Sequence, residues 1–291
     1  MVNYNPKVWF QIIFHSYSKQ VMKTLLPMLI FMSVFTLAAC YVFLEHIEFN
    51  KFPLSTAAHS LLGIVLGLFL VFRTNSAYDR WWEGRRLWGG LVNSTRNFAL
   101  KLNAALPQNH ADRKWFAAMI SNFIYATKEH LREGVDFSQL EISDEDFSTQ
   151  LKNVSHKPNF IASAMYKKVD ELMKSNIITG FHLTNLDKEL KDFIDLLGAC
   201  ERIKKTPIPY SYTMYIKKFI FIYIVTLPFG FINTFGYFTV PTVVLISYIL
   251  LSVELIAEEI EDPFGRDSND LPTDDLAKTI KANVKEILIG N

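Results

Sequence analysis

Three groups of residues are of a type and spacing that could do chemistry. The first is residues 73–88, RTNSAYDRWWEGRRLW, with three Trp and four Arg in 16 positions. Arg and Trp together anchor helices where a membrane meets water. Asp79 and Glu83 stand a turn away from arginines, and such pairs would let one helix run on from membrane into water. The second group is the acidic run Glu254, Glu258, Glu259, Glu261, Asp262, Asp267 and Asp270, with Arg266 inside it. Dense carboxylates suit a hard cation, a solvated face, or pairing with basic flanks. The spacing is not that of an EF-hand, because its alternating acids and central Gly are missing. The third group is Ala57, Leu61, Val65 and Phe69, four apart along one side of a helix. Gly63 and Gly67 form a GxxxG pair on another side, where a second helix can come close. The apolar stripe either packs within its own chain or, with several copies about an axis, becomes a ring that gates by dewetting.

No catalytic constellation accompanies these groups. The seven histidines (15, 46, 59, 110, 130, 156 and 182) are scattered and form no HExxH pair. There is no P-loop, GxGxxG or GxSxG pattern. Cys40 and Cys200 are the only two cysteines, far apart, and read as reduced and packed. An enzyme is therefore not expected.

The elements that must hold these groups are apolar helices. Half of the 291 residues are hydrophobic, and the 24 Phe gather in runs. A bilayer takes about 20 helical residues to cross. Residues 25–44, 54–72, 219–238 and 240–257 meet that length, the third broken by Pro228, Gly230 and Gly236. A tight turn over 233–241 must join the last two. Lys7, Lys19 and Lys23, then Arg73, Arg80, Arg85 and Arg86, then Arg202, Lys204, Lys205, Lys217 and Lys218 flank one side of these spans. Lys51 alone lies on the other. That asymmetry predicts a multi-pass membrane protein with both termini in the cytosol. The first apolar run is too long for a signal-peptide core and no small-residue cleavage site follows it. The near-neutral net charge of +1 argues against nucleic acid as a partner.

The spacing divides the chain into a cytosolic N-terminal segment (1–24), two spans (25–72), a helical cytosolic domain (73–212), two further spans (213–257), and an acidic segment with a cytosolic tail (258–291). Within the domain, 88–106, 115–131, 160–173 and 184–203 show helical periodicity. In the last of these Leu186, Leu190, Phe193, Leu197 and Cys200 make one stripe. Residues 133–157 read as polar and irregular, with Ser143, Asp144, Glu145 and Asp146 resembling a helix start. The tail predicts an amphipathic helix through Leu276, Ile280, Val284, Ile287 and Leu288.

Four blocks in order resemble the bestrophin family, in its prokaryotic branch. They are Tyr4, Asn5, Pro6 and Lys7 with Trp9 and Phe10; residues 73–88; Cys200, Glu201, Arg202 and Ile203 with residues 206–210, TPIPY; and residues 258–272, whose EDPFG and NDLP are the most specific. The resemblance implies an all-α chain with four transmembrane helices and a helical cytosolic domain, assembled as a homopentamer around a central pore. It places a hydrophobic neck on the second helix, at Ala57, Leu61, Val65 and Phe69 to within a turn. Counting back from Pro209, it places a cytosolic constriction near Phe181, with Ile178 as the alternative.

The implied function is passive conduction of chloride or other small anions in the bacterial inner membrane. Monovalent cations are the alternative ion, and a non-conducting scaffold or sensor is the alternative class. Small inorganic ions, lipid and further copies of the chain are the implied partners. Animal bestrophins hold calcium in a clasp of acidic ligands. Here Arg266 stands where another ligand would fall, so no cofactor is expected, with calcium on the remaining cation-binding candidates Asp262, Asp267 and Asp270 as the alternative.

Overall fold

The computed structural model describes residues 16–46, 56–132, 134, 136–142 and 144–290. Tyr4, Asn5, Pro6, Lys7, Trp9, Phe10, His15, Lys51, Leu54 and Ser143, which the sequence reading used, lie outside them. Every regular element among the described residues is helical. Helices α1 (Ser16–Glu45) and α2 (Thr56–Ala105) are followed by α3 (Asp112–Leu131), α4 (Glu145–Asn153), α5 (Lys157–Lys174) and α6 (Gly180–Lys205). Then come α7 (Tyr210–Phe235), α8 (Thr239–Glu261) and α9 (Thr273–Ile289). Three stretches are long and apolar enough to cross a membrane: Gln20–Glu45, Ala57–Ala105 and Tyr210–Glu261. The third is divided into α7 and α8 by a 3-10 turn, Gly236–Phe238.

The chain forms two units. The first holds α1, the part of α2 up to Arg80, α7 and α8. Lys217 on α7 pairs with Glu258 on α8 at 3.0 Å although 41 residues separate them, so the two helices fold back on each other. Gly236 makes the reversal with a φ of 53°, a backbone region that side chains avoid. Met32, Leu66, Leu70, Ile220, Ile224 and Leu227 are buried together from three helices. Around this core the outer faces remain apolar: Ile30, Val34, Ile64, Ile222 and Leu245 are all exposed. Water would penalise such a surface, and lipid does not. Pro228 stays inside α7 and is buried there.

The second unit holds α2 from Trp81 onward, α3, α4, α5, α6 and α9. Its core has an aromatic centre. The ring of Phe98 meets those of Phe116 and Phe193 edge-on at 5.9 and 5.6 Å, and Phe123 stacks on Phe193 at 5.3 Å. Such pairs add to what burial alone supplies. Leu186, Leu190, Phe193, Leu197 and Cys200 form the buried side of α6. Thr179 begins that helix with a capping box completed by His182. Residues 144–153 are more ordered than their polarity suggests. Asp144 caps α4 by accepting from the N–H groups of Asp146 and Phe147, and Leu151 anchors it. In α9, Ala277, Ile280, Val284 and Leu288 are buried. Both cysteines are free and buried, and burial pushes the Cys200 thiol up to about 12. A thiol held protonated is packing material and not a nucleophile.

Candidate functional site

The first-unit part of α2 carries one buried and one open side. His59, Leu66, Leu70, Arg73 and Ala77 are buried. Ala57, Leu61 and Val65 are exposed. Phe69 is half-buried, its ring edge-on to Tyr215 at 6.0 Å and to Phe219 at 6.3 Å. Geometry explains the difference. Steps of four residues overshoot a 3.6-residue turn by about 40° each. A stripe with only fours therefore walks around the helix, and by its fourth member it has turned from the open side toward α7. Steps of three and four together stay on the open side, where Leu61, Ile64, Leu68 and Phe72 are 64, 72, 57 and 54% exposed. Ile64, Leu68 and Phe72 extend this open side beyond the residues singled out from the sequence, and mixed spacing marks them.

The glycine pair divides likewise. A Cβ on Gly63 would meet Tyr223 Oη at 2.7 Å, so α7 approaches closely there. Nothing in the chain lies within 4 Å of a Cβ on Gly67. The buried ring of His59 lies against Gly230, and its Nε2 is 3.3 Å from Thr226 Oγ1.

Several charged residues near the ends of these helices are paired. Arg73 reaches Glu261 Oε2 at 2.7 Å and Glu254 Oε1 at 3.5 Å. Glu261 also accepts from Ile208 N–H through its carboxylate, and from Arg80 Nε through its main-chain oxygen. In the second unit, Glu83 pairs with Arg202 at 2.7 Å and not with an arginine of its own helix. For Glu83, a tertiary partner thus stands where the spacing suggested a within-helix pair.

Ile178 and Phe181 part company. Ile178 is 3% exposed and belongs to the second unit's core, whereas Phe181, in the first turn of α6, is 85% exposed. Phe181 is free to face another molecule, and Ile178 is committed to packing.

The acidic segment is occupied by its own folding. Asp262 pairs with Lys204 at 2.7 Å. Asp270 is buried, and its Oδ2 accepts from Asp267 N–H at 2.6 Å. Gly265 lies so close that a Cβ there would fall 2.7 Å from Asp270 Oδ2. Leu271 N–H donates to Pro263 O, closing the loop. Arg266 points to Glu129 at 3.8 Å. Among the described residues Asp262, Asp267 and Asp270 do not bring three ligand atoms together, and the one group of His, Cys, Asp and Glu that does is His130, His156 and Glu201.

The chain is similar to known membrane proteins along most of its length. It is 38% identical over 230 residues to a voltage-dependent anion channel-forming protein of Nostoc sp., covering 77% of this chain and 75% of that one. The protein of the same name from Synechocystis sp. is 35% identical over 243 residues, covering 82 and 79%. A crystal structure of a bacterial bestrophin homologue from Klebsiella pneumoniae superposes with a TM-score of 0.83 at 28% identity, covering 89% of this chain and 97% of that one. The family of bacterial and fungal bestrophin proteins matches residues 1–286. This all-helical membrane protein belongs to the bestrophin family.

Proposed function

We propose that the chain is a passive ion channel for chloride or other small anions, with five copies around an axial pore. The observation that carries this reading is the apolar ridge of α2, open in the single chain, in a family whose relatives are named anion channel-forming. In this reading α1, the first part of α2, α7 and α8 cross the bacterial inner membrane. Arg73, Arg80, Lys217 and Lys218 then lie on the cytosolic side, as both termini do. Five copies of the α2 ridge make a ring without fixed charge. Such a ring controls passage through wetting, and ions follow their electrochemical gradient. Phe181 supplies a second, cytosolic constriction. Lipid and small ions are the partners, and no covalent step is involved.

Reconstitution in planar bilayers under asymmetric sodium chloride tests the proposal. The reversal potential should approach the chloride equilibrium value. A shift toward the sodium value would assign the same architecture to monovalent cations. Flux at background in both gradients would leave a scaffold or sensor instead. The mass of the detergent-solubilised complex, divided by the chain mass of 33.6 kDa, checks the copy number.

A further inference from the structure

Three helices of the second unit bring two imidazoles and a carboxylate to one point. His130 lies in the last turn of α3, His156 is the N-cap of α5, and Glu201 lies near the end of α6. Glu201 Oε1 is 2.6 Å from His130 Nε2 and 2.7 Å from His156 Nε2. The imidazole centroids are 4.5 Å apart. One ligand atom from each residue falls within 4.8 Å of the other two. All three side chains keep partial contact with solvent. Beside them opens a cavity of about 340 Å³, lined among others by Glu129, Asp136, Lys157 and Lys205.

We propose that His130, His156 and Glu201 bind one divalent transition-metal ion of the zinc class, with its fourth position facing this cavity. Two imidazoles, one carboxylate and an open position form a donor set that zinc commonly takes. Imidazole nitrogen discriminates against magnesium and calcium, which prefer oxygen cages. Ligand distances of about 2.0–2.1 Å put tetrahedral ligand atoms about 3.3 Å apart. The two histidines therefore swing back from Glu201 by about half an ångström or slightly more, a side-chain rotation, as the ion enters between them.

The proton balance is defined at His156. Its Nδ1 accepts from Asn159 N–H at 3.2 Å, so in the metal-free state Nε2 carries the proton and donates it to Glu201. On binding, Nε2 gives its lone pair to the metal and the proton moves to Nδ1. The cap bond is released. Asn159 is exposed, and water takes up its N–H. His130 also donates from Nε2 to Glu201 before binding, and on binding that proton likewise moves to Nδ1 so that Nε2 can take the metal. Glu201 is already a carboxylate at neutral pH. Burial pushes its carboxyl up, but the hydrogen bonds from His156 and His130 outweigh burial and bring it below its ordinary value. Lys205, 3.9 Å from Oε2, leaves Oε1 as the ligand atom.

The test is calorimetric titration of the full chain in detergent with zinc chloride, after chelator treatment. The expected result is one ion per chain at micromolar affinity or tighter, with a raised Tm and no competition from calcium or magnesium. His156→Asn keeps an N-cap side chain while removing the ligand nitrogen, and should weaken zinc at least tenfold, as should Glu201→Gln. Wild-type heats equal to buffer, or variants that bind zinc as tightly as wild type, would overturn the site. His156→Asn separates ligand loss from misfolding, because circular dichroism should show its helix content unchanged.

Discussion

Arg73 and Glu261 meet at 2.7 Å with the arginine side chain wholly removed from solvent. The pair joins α2 to the end of α8 within the first unit, and Glu254 stands 3.5 Å from the same guanidinium. A buried cation of this kind is held because its partners are fixed around it. Arg73→Met should lower stability by about 3–5 kcal/mol, since it strands two carboxylates. Thermal unfolding in detergent reads the loss. Adding Glu254→Gln and Glu261→Gln should recover part of it, because the stranded charges are then gone. A single variant as stable as wild type would show that the ion pair is not what joins these helices.

The turn between α7 and α8 rests on Gly236. Its φ of 53° and ψ of −131° lie where only glycine sits without strain. No neighbour lies within 4 Å of a Cβ built there, so Gly236→Ala tests backbone strain alone. The expected loss is about 1–3 kcal/mol. Gly67→Ala, on a regular helix with equal space, should leave the isolated chain's stability unchanged or slightly raised. Equal melting of the two variants would count against the turn geometry.

Asp274 gives the second unit a defined acid response. Lys128, 1% exposed, donates to its Oδ1 at 2.7 Å, and Arg132 reaches Oδ2 at 2.9 Å. The hydrogen bond from Arg132, with Lys128 beside it, holds the carboxyl at about 2 against an ordinary 3.8. Because the folded value is depressed, the stabilisation is complete above about pH 4 and is lost as pH falls through about 2. Asp274 is about half exposed, so solvent screening limits the size of the effect. Tm should therefore fall more steeply between pH 4 and 2 in wild type than in Asp274→Asn. Parallel curves would remove Asp274 from the acid transition.

Much of the architecture is legible along the chain because lipid and helix geometry leave local marks. Long apolar runs mark the helices of the first unit, and Gly236 marks the reversal between two of them. The stripe of Leu186, Leu190, Phe193, Leu197 and Cys200 is the buried side of α6. What the sequence conceals depends on tertiary encounters. Glu83 has four arginines in its own neighbourhood, yet it pairs with Arg202, 119 residues away. His130 and His156 look scattered because 71 and 45 residues separate them from Glu201. Only the folded second unit brings them together. The segment at 144–153 reads as irregular because it is short and polar, and its helix is held by the Asp144 cap with Phe147 and Leu151 packing a single turn apart.

The α2 ridge makes the last prediction, which separates conduction from packing. Leu61 and Val65 are exposed in the single chain, so Ala there should change stability by no more than about 0.5 kcal/mol. Phe69→Ala also removes two ring contacts with α7 and should lower Tm measurably. If these side chains narrow a shared axis, Leu61→Ala, Val65→Ala and Phe69→Ala together should raise single-channel conductance, because a wider apolar ring wets more readily. A second triple variant, with Ala at Leu61, Ile64 and Leu68, fixes the register. A larger gain from the second triple would place the axis on the straight ridge, with Phe69 serving as packing against α7. Unchanged current in both would mean that this side of α2 faces lipid and that ions, if they pass, take another route.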